Sequence, residues 1–286
     1  MSIFEDFVAK QNPSNFIDGK EFLVIGNDKN FLSGGVYSKV VKHTGIKVVT
    51  EDTMTSEPIG GMLWMNGIVG DGWGWNFEKV KQAYHSVRDR FPSIKILGNY
   101  NFTDDKNIVE SKFLDAFGYD LGVDPTIYQG SVVKKSRVQA RHDGEIINCP
   151  IKLEEVDDKF SYSKLIDNSL NDFIVDIRAV IFDGEIPFCY IKFRPKETRF
   201  SNVNSKVFLV SPSDVLSKSE IRLVLDFANK MLLEVGEVDI LRDNFSRDIY
   251  IVDANNTPSG PPNGLSSQES TLAIRILSDK FVSKFC

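Results

Sequence analysis

The run IYIVDANNTPSG (Ile249–Gly260) passes from apolar residues into Asp253, two asparagines, a proline and a glycine. Side chains alternate along a strand, so Asp253 and Asn255 leave it on the same face. Upstream, the apolar run VDIL (Val238–Leu241) holds Asp239. A polar turn separates the two runs, and pairing them as a hairpin would bring Asp239, Asp253 and Asn255 together. Oxygen donors of this kind suit Mg²⁺, a hard cation that takes one or two carboxylates and completes its octahedron with substrate phosphates and water. A strand that merely ends in a polar loop has the same local sequence, so the rest of the chain must decide.

Anions need cations, and three segments supply them. In DIRAVIFDG (Asp176–Gly184), alternation puts Asp176, Arg178 and Val180 on one face, with Ile177, Ala179 and Ile181 on the other. An arginine inside an apolar strand needs a partner or a ligand, because an unpaired buried charge is expensive. KFRPKETRF (Lys192–Phe200) carries Lys192, Arg194, Lys196 and Arg199. Lys192 and Arg194 share a face suited to an anion, although a solvated edge would carry the same charges. VVKK (Val132–Lys135) ends a buried strand in lysine, which alone is an ordinary strand end. GNDKNFLSGG (Gly26–Gly35) matches neither GxGxxG nor a Walker A pattern and reads as loop glycines.

The elements that must position these residues fall into two textures. EFLVIGN, IKVVT, GMLWMNG and IKILGN, between Glu21 and Asn99, read as strands that alternate with helices over Ser33–Gly45 and Asn76–Phe91. Strand–helix alternation argues a parallel α/β layer. A helix follows in Asp104–Tyr128, with Ile108, Phe113, Leu114 and Phe117 expected on its inner side. From Gly130 the chain turns β-rich, with an Asp-Gly hairpin signal in FDGEI (Phe182–Ile186) and helices over Ser213–Val235 and Ser266–Lys284. The expected class is therefore α/β plus α+β, a parallel unit followed by an antiparallel one.

The 286 residues are 42% hydrophobic and 26% charged, enough for one large or two medium domains with real cores. A net charge of −6 and the lack of a basic run argue against nucleic acid as the main partner. Three scattered cysteines without CxxC spacing fit a reducing cytoplasm. Three histidines without HxH or HExxH spacing argue against zinc. The start lacks the pattern of a signal peptide, and no apolar run reaches membrane-spanning length. The tryptophans Trp64, Trp73 and Trp75 read as packing more readily than as a substrate cleft.

Taken in order, these segments resemble the ATP-grasp superfamily. DDKNIVESKFL…LGVDPT is similar to the passage that enters its ATP-grasp domain, and SVVKKS to the strand bearing its phosphate-binding lysine. YSKLIDNSLNDFIVDIRAVIFDG resembles the hinge-and-strand passage of tubulin-tyrosine-ligase-like members, and RPKETRFSN the arginine-bearing segment of glutathione synthetase-like ones. VDIL…IYIVDANNTPSG resembles the D…E-x-N-x-x-P-G metal motif. The resemblance implies a pre-ATP-grasp domain over 1–100 and an ATP-grasp domain over 101–286, divided into a small lid subdomain (125–168) and a large one (169–286). It implies that Lys106 and Lys134 contact ATP phosphates, with Lys192 among the nucleotide-binding cations, and that Lys164 and Leu165 frame the adenine. Arg178, Arg194 and Arg199 would face phosphate, acyl phosphate or substrate carboxylate, and Asp239, Asp253 and Asn255 would hold Mg²⁺.

The activity implied is ATP-dependent ligation of a carboxylate to an amine, on small-molecule or peptide substrates, and similar enzymes are commonly homodimers. Two departures stand out. The loop SRVQARHDG (Ser136–Gly144), the expected lid, has one glycine where the family's is glycine-rich, which leaves Arg137, Arg141 or His142 to cover the phosphates. Asp253 stands where glutamate is usual. The rival readings are an ATP-grasp kinase acting on a hydroxyl and a non-catalytic nucleotide-binding protein of the same fold.

Overall fold

The computed structural model describes residues 19–65, 77–138, 141–201 and 203–286. Asn76, Trp73 and Trp75 lie outside them, as do Gln139 and Ala140 of the expected lid. In the N-terminal part, β1 (Glu21–Gly26), β2 (Lys47–Val49), β3 (Gly61–Trp64) and β4 (Ile96–Leu97) form a parallel sheet in the order β2-β1-β3-β4. Its helices are α1 (Asp28–Gly34), α2 (Val36–Thr44) and α3 (Phe77–Arg90). The segment expected as glycine loop is α1. Asn27 caps it, its side-chain oxygen accepting the Asn30 N–H at 2.8 Å, and so satisfies an otherwise orphaned donor. Gly35 separates α1 from α2 where a Cβ would stand 2.8 Å from the Trp64 ring.

Helix α4 (Lys106–Phe117) leads into the second part. Val109 and Phe113 are its buried apolar residues, whereas Ile108 and Leu114 are 40% and 41% exposed. The inward stripe runs Lys106–Val109–Phe113, spaced three and four, so positions one step off it turn to water. A three-stranded antiparallel sheet follows, ordered β6-β5-β7, from β5 (Gly130–Ser136), β6 (Glu145–Cys149) and β7 (Phe160–Lys164). The large antiparallel sheet holds β8 (Ser169–Leu170), β9 (Phe173–Phe182), β10 (Cys189–Pro195), β11 (Lys206–Val210), β12 (Val235–Arg242) and β13 (Ile249–Asn255). Its order is β11-β10-β9-β12-β13, with β8 paired to the start of β9. Asp183 and Gly184 turn the β9–β10 hairpin with φ of 49° and 79°, a left-handed pair that suits Asp-Gly.

The helix expected over Ser213–Val235 is divided. A single turn, Pro212–Val215, stops, and α5 (Lys218–Lys230) starts afresh behind a capping box of Ser217 and Glu220. Val235 already belongs to β12. The last helix, α6 (Ser267–Phe285), is capped by Ser266 with Glu269. Among the described residues no helix is long and apolar enough to cross a membrane.

Both faces of the large sheet are used. Ile177, Ala179, Val238 and Ile240 pack against α4 and α5 through Phe113, Val224 and Phe227. On the opposite face Val180, Phe182, Tyr190 and Leu209 join Tyr37 and Val40 of α2, Phe22 and Trp64 of the parallel sheet, and Leu277 and Phe281 of α6. The remainder of that second face is charged, and the small sheet stands over it.

Candidate functional site

The small and large sheets flank a cleft that is open to solvent on one side. Its floor is set by strand register. Arg178 of β9, Asp239 of β12 and Asp253 of β13 are successive Cα partners, so they form one row across three strands. Lys192 of β10 is the partner of Asp176, one step along the same face. Alternation makes the row possible, and the β12–β13 hairpin foreseen in the sequence closes it.

The row is dense with ion pairs. Arg178 grips Asp239 with two bonds, Nε to Oδ1 at 2.8 Å and Nη2 to Oδ2 at 2.9 Å, and its Nη1 donates to Glu237 Oε2 at 3.1 Å. Lys192, 2% exposed, donates to Asp239 Oδ1 at 2.8 Å. Lys106, the first residue of α4, pairs with Asp253. Arg194 Nη1 lies 3.2 Å from Asp176 Oδ2. Charge-assisted bonds of this kind make burial tolerable.

The charges tune one another. Burial alone would raise the Asp239 carboxyl, but Arg178 and Lys192 outweigh it and hold the group far below the usual carboxylate range. Burial lowers Lys192 despite Asp239. For Lys106 burial is outweighed by Asp253, and its pKa rises. Glu237 is pushed up by burial, against the pull of Arg178. Asp104, buried just ahead of α4, is raised to about 6 by burial, which Lys106 only partly offsets.

Not every residue singled out in the sequence arrives at the cleft. Lys134 does not line it: its ammonium pairs with Glu145 at 2.9 Å and lies 4.5 Å from the Phe160 ring centroid, on the outer face of the small sheet. Its neighbour Lys135 lines the cleft with Val133, and donates to Val252 O at 2.9 Å. Burial and the nearby Lys106 charge depress Lys135 to about 8. The sequence VVKK holds both lysines, and a one-residue change of parity exchanges their faces.

At the hinge, Lys164 and Ile166 line the cleft and Leu165, between them, does not. Lys164 Nζ donates to Asp120 O at 2.6 Å. Arg199 donates to Ile166 O at 2.6 Å and to Asn168 Oδ1 at 3.0 Å, and with Arg194 forms part of the cleft wall. Asn255 is the Cα partner of Glu237, with its side-chain oxygen accepting the Thr257 N–H at 2.9 Å; it does not line the cleft. From the expected lid, Arg141 and His142 line the cleft, whereas Arg137 is clamped to Asp105 through Nη2 at 2.7 Å and Nε at 3.1 Å. Sequence reasoning missed Lys135, Asp104, Glu237 and the Asp105–Arg137 clamp. DDK ahead of α4 was the available signal for Asp104 and Asp105; Glu237 had none beyond its parity with Asp239.

Among the described residues no set of three or more His, Cys, Asp and Glu side chains could hold a metal by itself. Two directly paired carboxylates, Asp239 and Asp253, are nevertheless the number that Mg²⁺ takes when phosphates complete its shell. The donor set thus fits an ion that arrives with a polyphosphate, and does not fit a metal held by protein alone.

No protein-family model matches the sequence, and no curated protein does. Solved structures do match. PsnB, an ATP-grasp ligase in complex with a minimal precursor, superposes with a TM-score of 0.58 at 12% identity, over 93% of this chain and 99% of that one. The macrocyclase MdnC from Microcystis aeruginosa MRC, bound with the precursor peptide MdnA, gives 0.51 at 13%, over 92% and 99%. D-alanine–D-alanine ligase from Bacillus anthracis, complexed with ATP, gives 0.54 at 14%, over 92% and 96%. From its parallel N-terminal sheet to its last helix, this chain has the fold of the ATP-grasp ligases.

Proposed function

We propose that the chain is an ATP-dependent carboxylate–amine ligase that works through an acyl phosphate. The observation that carries this reading is the row Arg178–Asp239–Asp253 lying under a cleft that also receives Lys106 and Lys135, within a fold shared with the solved ligases described above. Lys106 and Lys135 are assigned to the triphosphate, Lys135 in place of Lys134, and Lys164 with Ile166 to the nucleobase end. Arg178, Arg194 and Arg199 are assigned to the transferred phosphoryl group and the substrate carboxylate. Asp239 and Asp253 would hold Mg²⁺, which supplies neutralisation of the phosphate oxygens; Asn255, turned to Thr257 and away from the cleft, is not assigned to the ion.

The chemistry follows from charge. A carboxylate oxygen of the substrate attacks the γ-phosphorus and ADP departs. The amine then attacks the acyl carbon, inorganic phosphate leaves, and the amine nitrogen loses its proton to water. Phosphoryl transfer chiefly needs positioning and charge stabilisation, which these lysines and arginines provide. An acyl phosphate hydrolyses in water, so a cover matters. The small sheet (125–168) with Arg141 and His142 is assigned that role, moving against the 169–286 unit.

Two of the three solved structures described above are bound with precursors. We therefore assign the substrate carboxylate and amine to peptide side chains or termini. Free thiols at Cys149, Cys189 and Cys286 suit a reducing cytoplasm. The test is ADP release from Mg-ATP with carboxylate and amine compounds supplied singly and together. Release that requires both supports ligation. Release with a hydroxyl compound alone would make the protein a kinase, and nucleotide binding without release across a peptide panel would make it non-catalytic.

A further inference from the structure

We propose that Lys106 occupies Asp253 as a stand-in cation, so that divalent metal and nucleotide enter the cleft only as a coupled pair. This rests on reading the cleft as a Mg-ATP site. Every carboxylate in the row already has a counter-charge: Arg178 and Lys192 for Asp239, Arg178 for Glu237, Lys106 for Asp253. A bare divalent ion therefore meets no uncompensated pair of acids.

The counter-charges differ in how readily they can leave. Arg178 is locked by three hydrogen bonds between Asp239 and Glu237, and Lys192 is sealed at 2% exposure. Among the described residues the Lys106 ammonium, on a side chain 8% exposed that lines the cleft, makes one ion pair, to a carboxylate that is 33% exposed and lines it too. Its backbone, however, is fixed. Lys106 follows the helix cap Asp105, which Arg137 clamps, and the Lys106 N–H donates to Arg137 O at 3.3 Å. Only the flexible four-carbon stem is free to swing. A triphosphate offers the ammonium a stronger partner than Asp253, and the swing uncovers the carboxylate for the metal. Asp104 stays close by, buried, with Oδ2 lacking a hydrogen-bond partner among the described residues, so the exchange leaves negative potential to be met by the metal.

The exchange has a reciprocal signature, because whatever nucleotide does to metal affinity, metal does equally to nucleotide affinity. The test uses the full chain with Mn²⁺ as the metal and ADP as the nucleotide, read by Mn²⁺ electron spin resonance and calorimetry. Without nucleotide, Lys106→Met is expected to bind Mn²⁺ about tenfold more tightly than wild type, or better, since removing a buried cation beside acids raises cation affinity. Conversely, Asp253→Asn frees Lys106. It is expected to bind ADP without metal severalfold more tightly than wild type, and to lose most of the gain that Mn²⁺ confers on wild type. Equal Mn²⁺ affinity in wild type and Lys106→Met overturns the proposal. So does an undiminished Mn²⁺–ADP coupling in Asp253→Asn, an arm that still decides if Lys106→Met fails to fold. Wild type that binds no ADP, with or without Mn²⁺, overturns the nucleotide site itself, while the metal-only comparison still reads the Lys106–Asp253 exchange.

Discussion

One face of the large sheet is divided between two kinds of interior. Around Val180, Phe182 and Tyr190 it is apolar and covered by α2, α6 and the parallel sheet. Two residues along the same strands, from Val180 to Arg178 and from Tyr190 to Lys192, it is charged, and Asp176 and Arg178 line the cleft. Both halves are buried. The apolar half is stable because each contact is non-directional and adds to the others. The charged half is stable only as a closed set, in which every member needs its partner. The difference teaches how a fold can keep charge in its interior: as a buried set whose members satisfy one another.

The sharpest way to break this comparison is Arg178→Ala. It strands Glu237 in the interior, leaves Asp239 with Lys192 alone, and is expected to cost about 3–5 kcal/mol in urea unfolding. The loss should shrink as pH falls, because the stranded Glu237 carboxyl, already pushed up by burial, regains neutrality by protonation and is penalised only as pH rises through its elevated pKa. Phe182→Ala, in the apolar half beside Tyr37, is expected to cost about 3 kcal/mol with no such pH response. An Arg178→Ala loss that is constant from pH 5 to 8 would erase the distinction.

A smaller effect sharpens it. Asp104 has its carboxyl raised to about 6 by burial, so wild type should lose about 3 kcal/mol of stability as pH climbs from about 4 to above 6. Asp104→Asn removes that slope and should be the more stable protein at pH 7, as thermal unfolding across the pH range would register. The smallest effect belongs to the β9–β10 turn, next to the apolar half. Gly184 has φ of 79°, and Gly184→Ala should cost about 1 kcal/mol in the same urea assay, equally at every pH.

Much of the architecture was legible because it is written in local periodicity. The strands of the parallel sheet, the Asp183–Gly184 hairpin and the pairing of VDIL with IYIV follow from apolar alternation and turn residues. The divided helix after Pro212 was less so, since Ser217 could have stayed inside a longer apolar stripe. Helix α4 was read one step off its buried stripe. Of the site, Asp239 opposite Asp253 was legible, because a hairpin with known ends has few registers. The Lys106–Asp253 pair was not, because it joins residues whose proximity depends on where α4 docks.

By itself the sequence determined residue spacing along each strand, and hence which side chains share a face: Asp176 with Arg178, Asp253 with Asn255, Lys192 with Arg194. Tertiary structure alone decided which face looks into the cleft. VVKK has no alternation to orient it, so only the pairing of β5 with β6 and β7 sends Lys135 inward and Lys134 to Glu145. It alone also decided which cation neutralises which carboxylate. The physical reason is range: alternation is a property of neighbouring peptide units, whereas a buried charge is satisfied by whatever the packing of distant segments brings within hydrogen-bonding distance.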